Sequence, residues 1–311
     1  MDINQGMNVV EQVMFDAMNS DVEPLKAASE HILKAGGKRI RPRIVLASYA
    51  ALGGTDAAYV APVAAAVELV HTASVVHDDI NDHGVVRRGR PSINAIWGRT
   101  FALLTGDFFF TKVYELMGPY KDLNMVLAEA TVALVEGETL QASAAKSGNL
   151  SREIYYRIIG LKTAALFRAG ARLGGYLANA TAEQIEALEN YGYNIGLAFQ
   201  MVDDILDLTS DDTVLGKTSG IDLTQGKGIG SVYNANGGLT TGDVAVAEDE
   251  NDDDVMGAVK RKLLNGNALE EARLYARQLV QQGIEYLDVL PESEGKTNLI
   301  EIANLVVNRD H

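Results

Sequence analysis

Apolar residues recur at helical spacing along nearly the whole chain. Val9, Val10, Val13, Met14 and Ala17 mark an amphipathic helix over 7–18. A second covers 23–35 and stops at Gly36-Gly37. Further helices are expected over 43–53 and 57–70, separated by Gly53-Gly54, with the run AAVELVHTASVV read as a buried helix. The pattern continues over 92–117, 121–146, 151–178 and 181–208, and again at 252–265, 268–290 and 294–308. Ser151 is an N-cap candidate with Glu153 in the first turn. No period of two marks a strand, and no repeat has solenoid length. The pattern predicts an all-α fold.

Between the last two groups of helices the chain changes character. GKGIGSVYNANGGLTTGD is Gly-rich, and AEDENDDD is a run of like charge. Residues 226–254 therefore read as a mobile surface segment. No Pro/Gly/Ser-rich linker interrupts the first 225 residues, so a single domain over 1–311 is expected.

Composition narrows the functional classes. The 311 residues are 47% hydrophobic with only 6 prolines, which suits packed helices. Cysteine is absent, which removes disulfides, thiolate metal sites and Cys nucleophiles and fits a reducing cytoplasm. With 42 acids against 27 bases the net charge is −15, which disfavours nucleic acid and anionic membranes as partners. The first residues, MDINQGMNVVEQV, lack the basic and apolar regions of a signal peptide. The longest apolar stretch, 57–70, contains Pro62 and Glu68 and is too short to span a bilayer.

The chemistry concentrates where apolar runs end. Asp78, Asp79 and Asp82 close the AAVELVHTASVV run, and Asp203, Asp204 and Asp207 close IGLAFQMV at the same spacing. In each triplet the first and last carboxylates lie about 40° apart on a helix, with the middle one within roughly 100° of both. One such cluster reads equally well as a solvated helix end. Two, each behind an apolar helix, fit poorly with solvation alone. Facing carboxylates repel and call for a compensating cation. Mg²⁺ keeps several waters and takes its other ligands from a few carboxylates and phosphate oxygens. A Mg²⁺–diphosphate site is the first functional expectation.

Cations are placed to share such a polyanion. Lys38, Arg39, Arg41 and Arg43 crowd a loop ahead of Pro42, which can start a helix, in a chain that is otherwise acidic. Arg87, Arg88 and Arg90 follow the first Asp cluster in HGVVRRGRPS, and Arg suits bidentate phosphate contact. Lys162 and Thr163 sit on an apolar helix, where a Lys either snorkels or binds phosphate. Lys217 and Lys227 lie on the Gly-rich GKTSGIDLTQGK, which suits a flap. His71 is about two turns before Asp78 on the same helix face, and a buried, backbone-satisfied imidazole is its alternative reading. Walker A, G-x-S-x-G, EF-hand and post-strand GxGxxG patterns are missing.

GGKRIRP, HDDxxD followed by RRG, GLKTA, FQMVDDILD and GKTSGIDLTQGK occur in the order seen in trans-polyprenyl diphosphate synthases, which the chain resembles over roughly 30–230. The resemblance implies an all-α isoprenoid-synthase bundle around a central cavity, usually a homodimer. It implies Mg²⁺-dependent condensation of isopentenyl diphosphate with an allylic diphosphate. Asp78, Asp82 and Asp203 would hold the metals, with Asp79, Asp204 and Asp207 close by. Arg87, Lys162, Lys217 and Lys227 would hold the allylic diphosphate, and Thr163 and Gln200 would face the cation. Lys38, Arg41, His71 and Arg88 would bind isopentenyl diphosphate. The chain departs from the family after Lys227, where Thr-Leu-Pro and a helix are replaced by GIGSVYNANGG. A class I terpene cyclase or head-to-head synthase would share the fold but would not need a second diphosphate pocket. An acidic scaffold or an inactive regulatory subunit is the non-enzyme alternative. In short-chain members a bulky aromatic about one turn before the first Asp closes the tunnel. Here Val70, Ala73 and Ser74 leave it open, so the product is expected at C20 or longer, centred on C25–C35, unless Phe108, Phe109 or Met117 supplies the stop.

Overall fold

The computed structural model describes residues 1–147, 151–209 and 268–308. The expected helix at 252–265 and the segment 226–254 lie outside them. Among the described residues the regular elements are helices apart from one two-stranded hairpin.

Helix α1 (Ile3–Ala17) begins earlier than the pattern suggests, because Asp2 caps the Asn4 and Gln5 amides at 2.7 and 3.1 Å. It buries Ile3, Met7, Val10 and Met14, one face of the expected amphipath. Helix α2 (Glu23–Lys34) has Pro24 in its first turn. Helix α3 (Ile40–Ala51) starts ahead of Pro42, so Arg41 and Arg43 belong to the helix rather than to the loop before it. Pro42 is tolerated as the third residue, where helix amides have no partner in any case. Arg39 caps the helix in the left-handed region, at φ 48°.

Helix α4 (Ala57–Asn81) joins two expected pieces into one of 25 residues. Pro62 does not break it: the carbonyl left without a helical donor belongs to exposed Ala58, within reach of water. This corrects the expected length limit, since α4 is long and apolar enough to cross a membrane. Yet 72% of its most apolar window is buried inside the fold, as in the core helix of a bundle. It packs on α1, on α3 and most extensively on α6.

The loop expected after α4 is a tight hairpin, β1 (Val86–Arg87) and β2 (Arg90–Pro91). Arg88 and Gly89, at φ 52° and 70°, form its two-residue turn, the positive-φ geometry that matches strand twist. The single helix expected over 92–117 divides at Gly98 (φ 84°) into α5 (Ile93–Trp97) and α6 (Arg99–Met117). Helix α7 (Leu123–Ser147) follows. The stretch expected as one helix over 151–178 is α8 (Arg152–Ile159), a π turn at Gly160–Ala164, and α9 (Ala165–Leu177).

Helix α9 lies against α3, α7 and α10 (Ala182–Thr209), and α10 packs in turn on α11 (Ala268–Tyr286). Helix α12 (Glu294–Val307) returns to α3: the Ser293 hydroxyl donates to the Ala51 carbonyl at 3.1 Å. Tyr191 of α10, fully buried, donates to the Leu299 carbonyl at 2.7 Å. One apolar cluster runs through α1, α3, α4, α6, α7, α9, α10, α11 and α12.

Candidate active site

The first aspartate cluster ends α4, where the helix dipole already places negative charge. Each of its first two carboxylates meets a cation. Arg87, brought back by the hairpin, donates from Nε (2.9 Å) and Nη2 (2.6 Å) to Asp79 Oδ1. Asp79 is buried, and burial, only partly offset by Arg87, holds its carboxyl above the usual range. Asp78 remains one-fifth exposed, 3.7 Å from Lys162 Nζ. Asp82 caps the helix.

Lys162 and Thr163 lie in the π turn, whose extra residue swings both off the regular helical track. Three glycines let neighbouring helices approach this irregular backbone. A Cβ at Gly137 of α7 would stand 2.6 Å from the Lys162 backbone nitrogen. At Gly196 of α10 it would stand 2.6 Å from Ala164 Cα, and at Gly192 2.7 Å from the Phe167 carbonyl oxygen. Lys162 Nζ pairs with Glu138 Oε1 (2.5 Å) and donates to Gln141 Oε1 (3.0 Å), both on α7. Burial lowers the Lys162 pKa, but Asp78 and Glu138 outweigh it and the net shift is upward. Burial lifts the Glu138 carboxyl to about 7, with Lys162 pulling it down and Asp78 pushing it up.

Thr163 reaches the second cluster. Its hydroxyl donates to Gln200 Oε1 at 2.8 Å, and Gln200 Nε2 donates to Asp204 Oδ1 at 2.8 Å. Tyr155 of α8 donates to the other Asp204 oxygen at 2.8 Å. Asp204 and Asp207 are buried, whereas Asp203 is partly exposed. Two consecutive residues, Lys162 and Thr163, therefore link both aspartate clusters.

A basic group gathers beside this centre. Burial, then the charges of Arg41, Arg88, Arg39 and Arg87, hold the His71 imidazole well below its usual pKa. Of these four guanidiniums, Arg39 is paired with Glu68 and Arg87 with Asp79. Arg41 lies over the rings of Phe167 and Phe199, at 4.7 and 5.8 Å to their centroids. Arg88, at the hairpin tip, lies against Gly37, where a Cβ would stand 2.6 Å from its Nη1. Lys38 is exposed next to it. Arg39 is a strut: buried, it pairs with buried Glu68 at 2.8 Å and donates to the Leu33 carbonyl.

The family model described as polyprenyl synthetase matches residues 22–235. The chain belongs to this family. Among curated relatives of the synthetase is the short chain isoprenyl diphosphate synthase of Methanothermobacter thermautotrophicus. It is 37% identical and aligns over 94% of this chain and 93% of its own. The octaprenyl diphosphate synthase of Escherichia coli is 34% identical, over 98% and 96%. In three dimensions the synthetase superposes on a polyprenyl synthase from Caulobacter crescentus, complexed with calcium and isoprenyl diphosphate. That match has a TM-score of 0.92 and 33% identity, over 99% of this chain and 96% of the other. The all-α isoprenoid-synthase fold expected from the motifs is thereby the fold of this synthetase.

Not every expected residue sits as the spacing suggested. Arg87 is engaged with Asp79 rather than held ready for phosphate, and Asp204 anchors Gln200 and Tyr155. Among the described residues no group of three or more acidic or imidazole side chains is arranged to hold one metal ion, so the six carboxylates do not form a ready-made cage. Lys217 and Lys227 lie outside the described residues. Glu138, Gln141 and Tyr155 were missed. Glu138 and Gln141, three apart and so on one face of the helix just after Gly137, were a usable signal.

Proposed function

We propose that this prenyltransferase condenses isopentenyl diphosphate head-to-tail with an allylic diphosphate, giving a trans-polyprenyl diphosphate of C20 or longer. The observation that carries the reading is the pair Lys162–Thr163, a cation beside Asp78 of the first aspartate cluster and a hydroxyl linked through Gln200 to Asp204 of the second.

The donor set suits Mg²⁺. It is all oxygen: burial lifts the Glu138 carboxyl, and the neighbouring Asp78 charge adds to the rise, a repulsion that a cation relieves. Asp78, Asp82 and Asp203 would each lend oxygens to the magnesium ions, with water and diphosphate oxygens completing their shells. When bound, magnesium neutralises charge on the leaving diphosphate. Lys162 adds a fixed positive charge on the same group, and Arg87 holds Asp79 beside it. As the allylic C–O bond breaks, the Thr163 hydroxyl oxygen and the Gln200 carbonyl present lone pairs to the carbon that becomes positive. Lys38, Arg41, His71 and Arg88 hold the diphosphate of the second substrate. Its double bond attacks that carbon, and the departing diphosphate takes the proton lost in re-forming an alkene. The apolar core below the charged rim keeps water from the cation.

Product length draws support from two sources. Relatives carry the names octaprenyl and geranylgeranyl diphosphate synthase, and Ala73 and Ser74 leave little side chain ahead of Asp78. Homodimerisation is supported by apolar side chains exposed on adjoining segments: Leu103 and Leu104 of α6, and Met125, Val132 and Val135 of α7. A relative named heptaprenyl diphosphate synthase component 2 is by that name part of a two-component enzyme. A cytoplasmic location accords with the missing cysteines.

The test is chromatography of products from labelled isopentenyl diphosphate, farnesyl diphosphate and Mg²⁺. Polyprenyl diphosphates of C20 or longer are expected. Hydrocarbon formed from the allylic diphosphate alone, or no elongation at all, would overturn the reading.

A further inference from the structure

The hydrogen bonds around Gln200 fix which end of its amide faces the reacting centre. A carboxylate can only accept, so the amide nitrogen turns to Asp204 Oδ1 and the carbonyl oxygen turns to the Thr163 hydroxyl, each at 2.8 Å. Asp204 is buried, and its second oxygen accepts from the buried Tyr155 at 2.8 Å. Three elements thus contribute to one directed chain: α8 through Tyr155, the π turn through Thr163, and α10 through Gln200 and Asp204. Its direction is set at the carboxylate. A turned Asp204 would let the amide rotate by half a turn and present N–H groups to Thr163. Donors there oppose positive charge, whereas oxygen lone pairs favour it.

We propose that Tyr155 is a positioning residue for prenyl transfer: by clamping Asp204 it locks the Gln200 amide with its oxygen on the Thr163 side, where charge develops on the allylic carbon. Asp204 then orients Gln200, in place of the metal-ligand role its spacing suggested. The inference rests on the prenyl-transfer reading above.

The experiment uses the full chain with Tyr155→Phe and Asp204→Asn. It combines steady-state and single-turnover kinetics, a Mg²⁺ titration, and calorimetric binding of an unreactive allylic thiolodiphosphate with Mg²⁺. Tyr155→Phe should lower kcat and the single-turnover rate about tenfold, the loss of one hydrogen bond to a charged group. The KM for the allylic substrate, the Mg²⁺ half-saturation and the affinity for the analogue should stay within about twofold of wild type, because the contact acts on developing charge and not on ground-state binding. Asp204→Asn, whose side-chain amide can donate to the Gln200 oxygen, should show the same split with a larger fall. If Tyr155→Phe does not fold, the split in Asp204→Asn decides alone. An unchanged kcat overturns the proposal. So does a fall in analogue affinity with a raised Mg²⁺ requirement, which would make the pair a metal support. A wild-type protein that elongates nothing removes the prenyl-transfer reading itself; a competent wild type with an indifferent Tyr155→Phe removes only this inference.

Discussion

Gly137→Ala tests whether the approach of α7 to the π turn sets the chemistry. The new Cβ would stand 2.6 Å from the Lys162 backbone nitrogen and 3.0 Å from Lys162 Cα and Leu161 Cβ, where ordinary contact begins at 3.4 Å. The shortfall is about 0.8 Å against backbone, which cannot rotate aside. Helix α7 must therefore back away, and it carries Glu138 and Gln141, whose contacts to Lys162 Nζ are 2.5 and 3.0 Å. Overpacking costs about 1–3 kcal/mol. Alanine in place of a helical glycine returns about 0.8–1 kcal/mol. The net destabilisation is thus about 0–2 kcal/mol, a melting shift of about 2–4 °C per kcal/mol. Activity should suffer far more, because a displacement near 1 Å at a catalytic group costs about a hundredfold. Gly118→Ala is the control, since nothing lies within 4 Å of a Cβ there. Single-turnover elongation and thermal melts on both variants decide. A Gly137→Ala rate within threefold of wild type, or equal losses in the two variants, would refute the reasoning.

Glu68→Ala should destabilise the fold by about 3–5 kcal/mol in denaturant titrations, because it strands the buried Arg39 charge. Glu30→Ala, at the exposed pair with Lys34, should leave the midpoint unchanged. Burial lifts Glu138 from 4.5 to about 7, so between those pH values the fold retains a proton that the unfolded chain has released. Stability should fall as pH rises through that window and level off above it, and Glu138→Gln should flatten the slope in melts from pH 5 to 8. Ser74→Phe should shorten the main product while condensation continues; an unchanged product distribution from an active variant would place the floor of the tunnel elsewhere.

The helices were legible because burial imposes its period directly on the side chains. Val10 and Met14, one turn apart, must face the same way whatever packs on them. Breaks were legible only where glycine pairs announce them, as at Gly53-Gly54. The junction between α5 and α6 turns on Gly98 alone, and Pro62 sits inside α4 because exposure of Ala58 lets water replace the lost helical partner. Neither fact is local to the residue that a pattern reader sees. The hairpin was missed for a related reason. Its strands are two residues each, too short to show alternation, and its turn places Arg88 at positive φ, where arginine is not the residue one expects.

The site was legible as a list of charges but not as a set of pairings. Spacing makes the three carboxylates of each cluster look alike, and it is their neighbours that separate them. Asp79 faces Arg87 because a hairpin folds the chain back eight residues on; Asp204 faces Tyr155 across 49 residues of sequence. The first carboxylate of each cluster, Asp78 at the end of α4 and Asp203 on α10, stays partly exposed. The middle carboxylate of each triplet is buried and hydrogen-bonded, so the two clusters repeat one design: an outer, partly exposed acid beside an inner acid that fixes a neighbouring side chain. In the first cluster the fixed neighbour is Arg87, cationic; in the second it is Gln200, neutral with its oxygen turned to Thr163. That difference in polarity matches the two charges an ionising allylic diphosphate develops, negative on the departing group and positive on the carbon left behind.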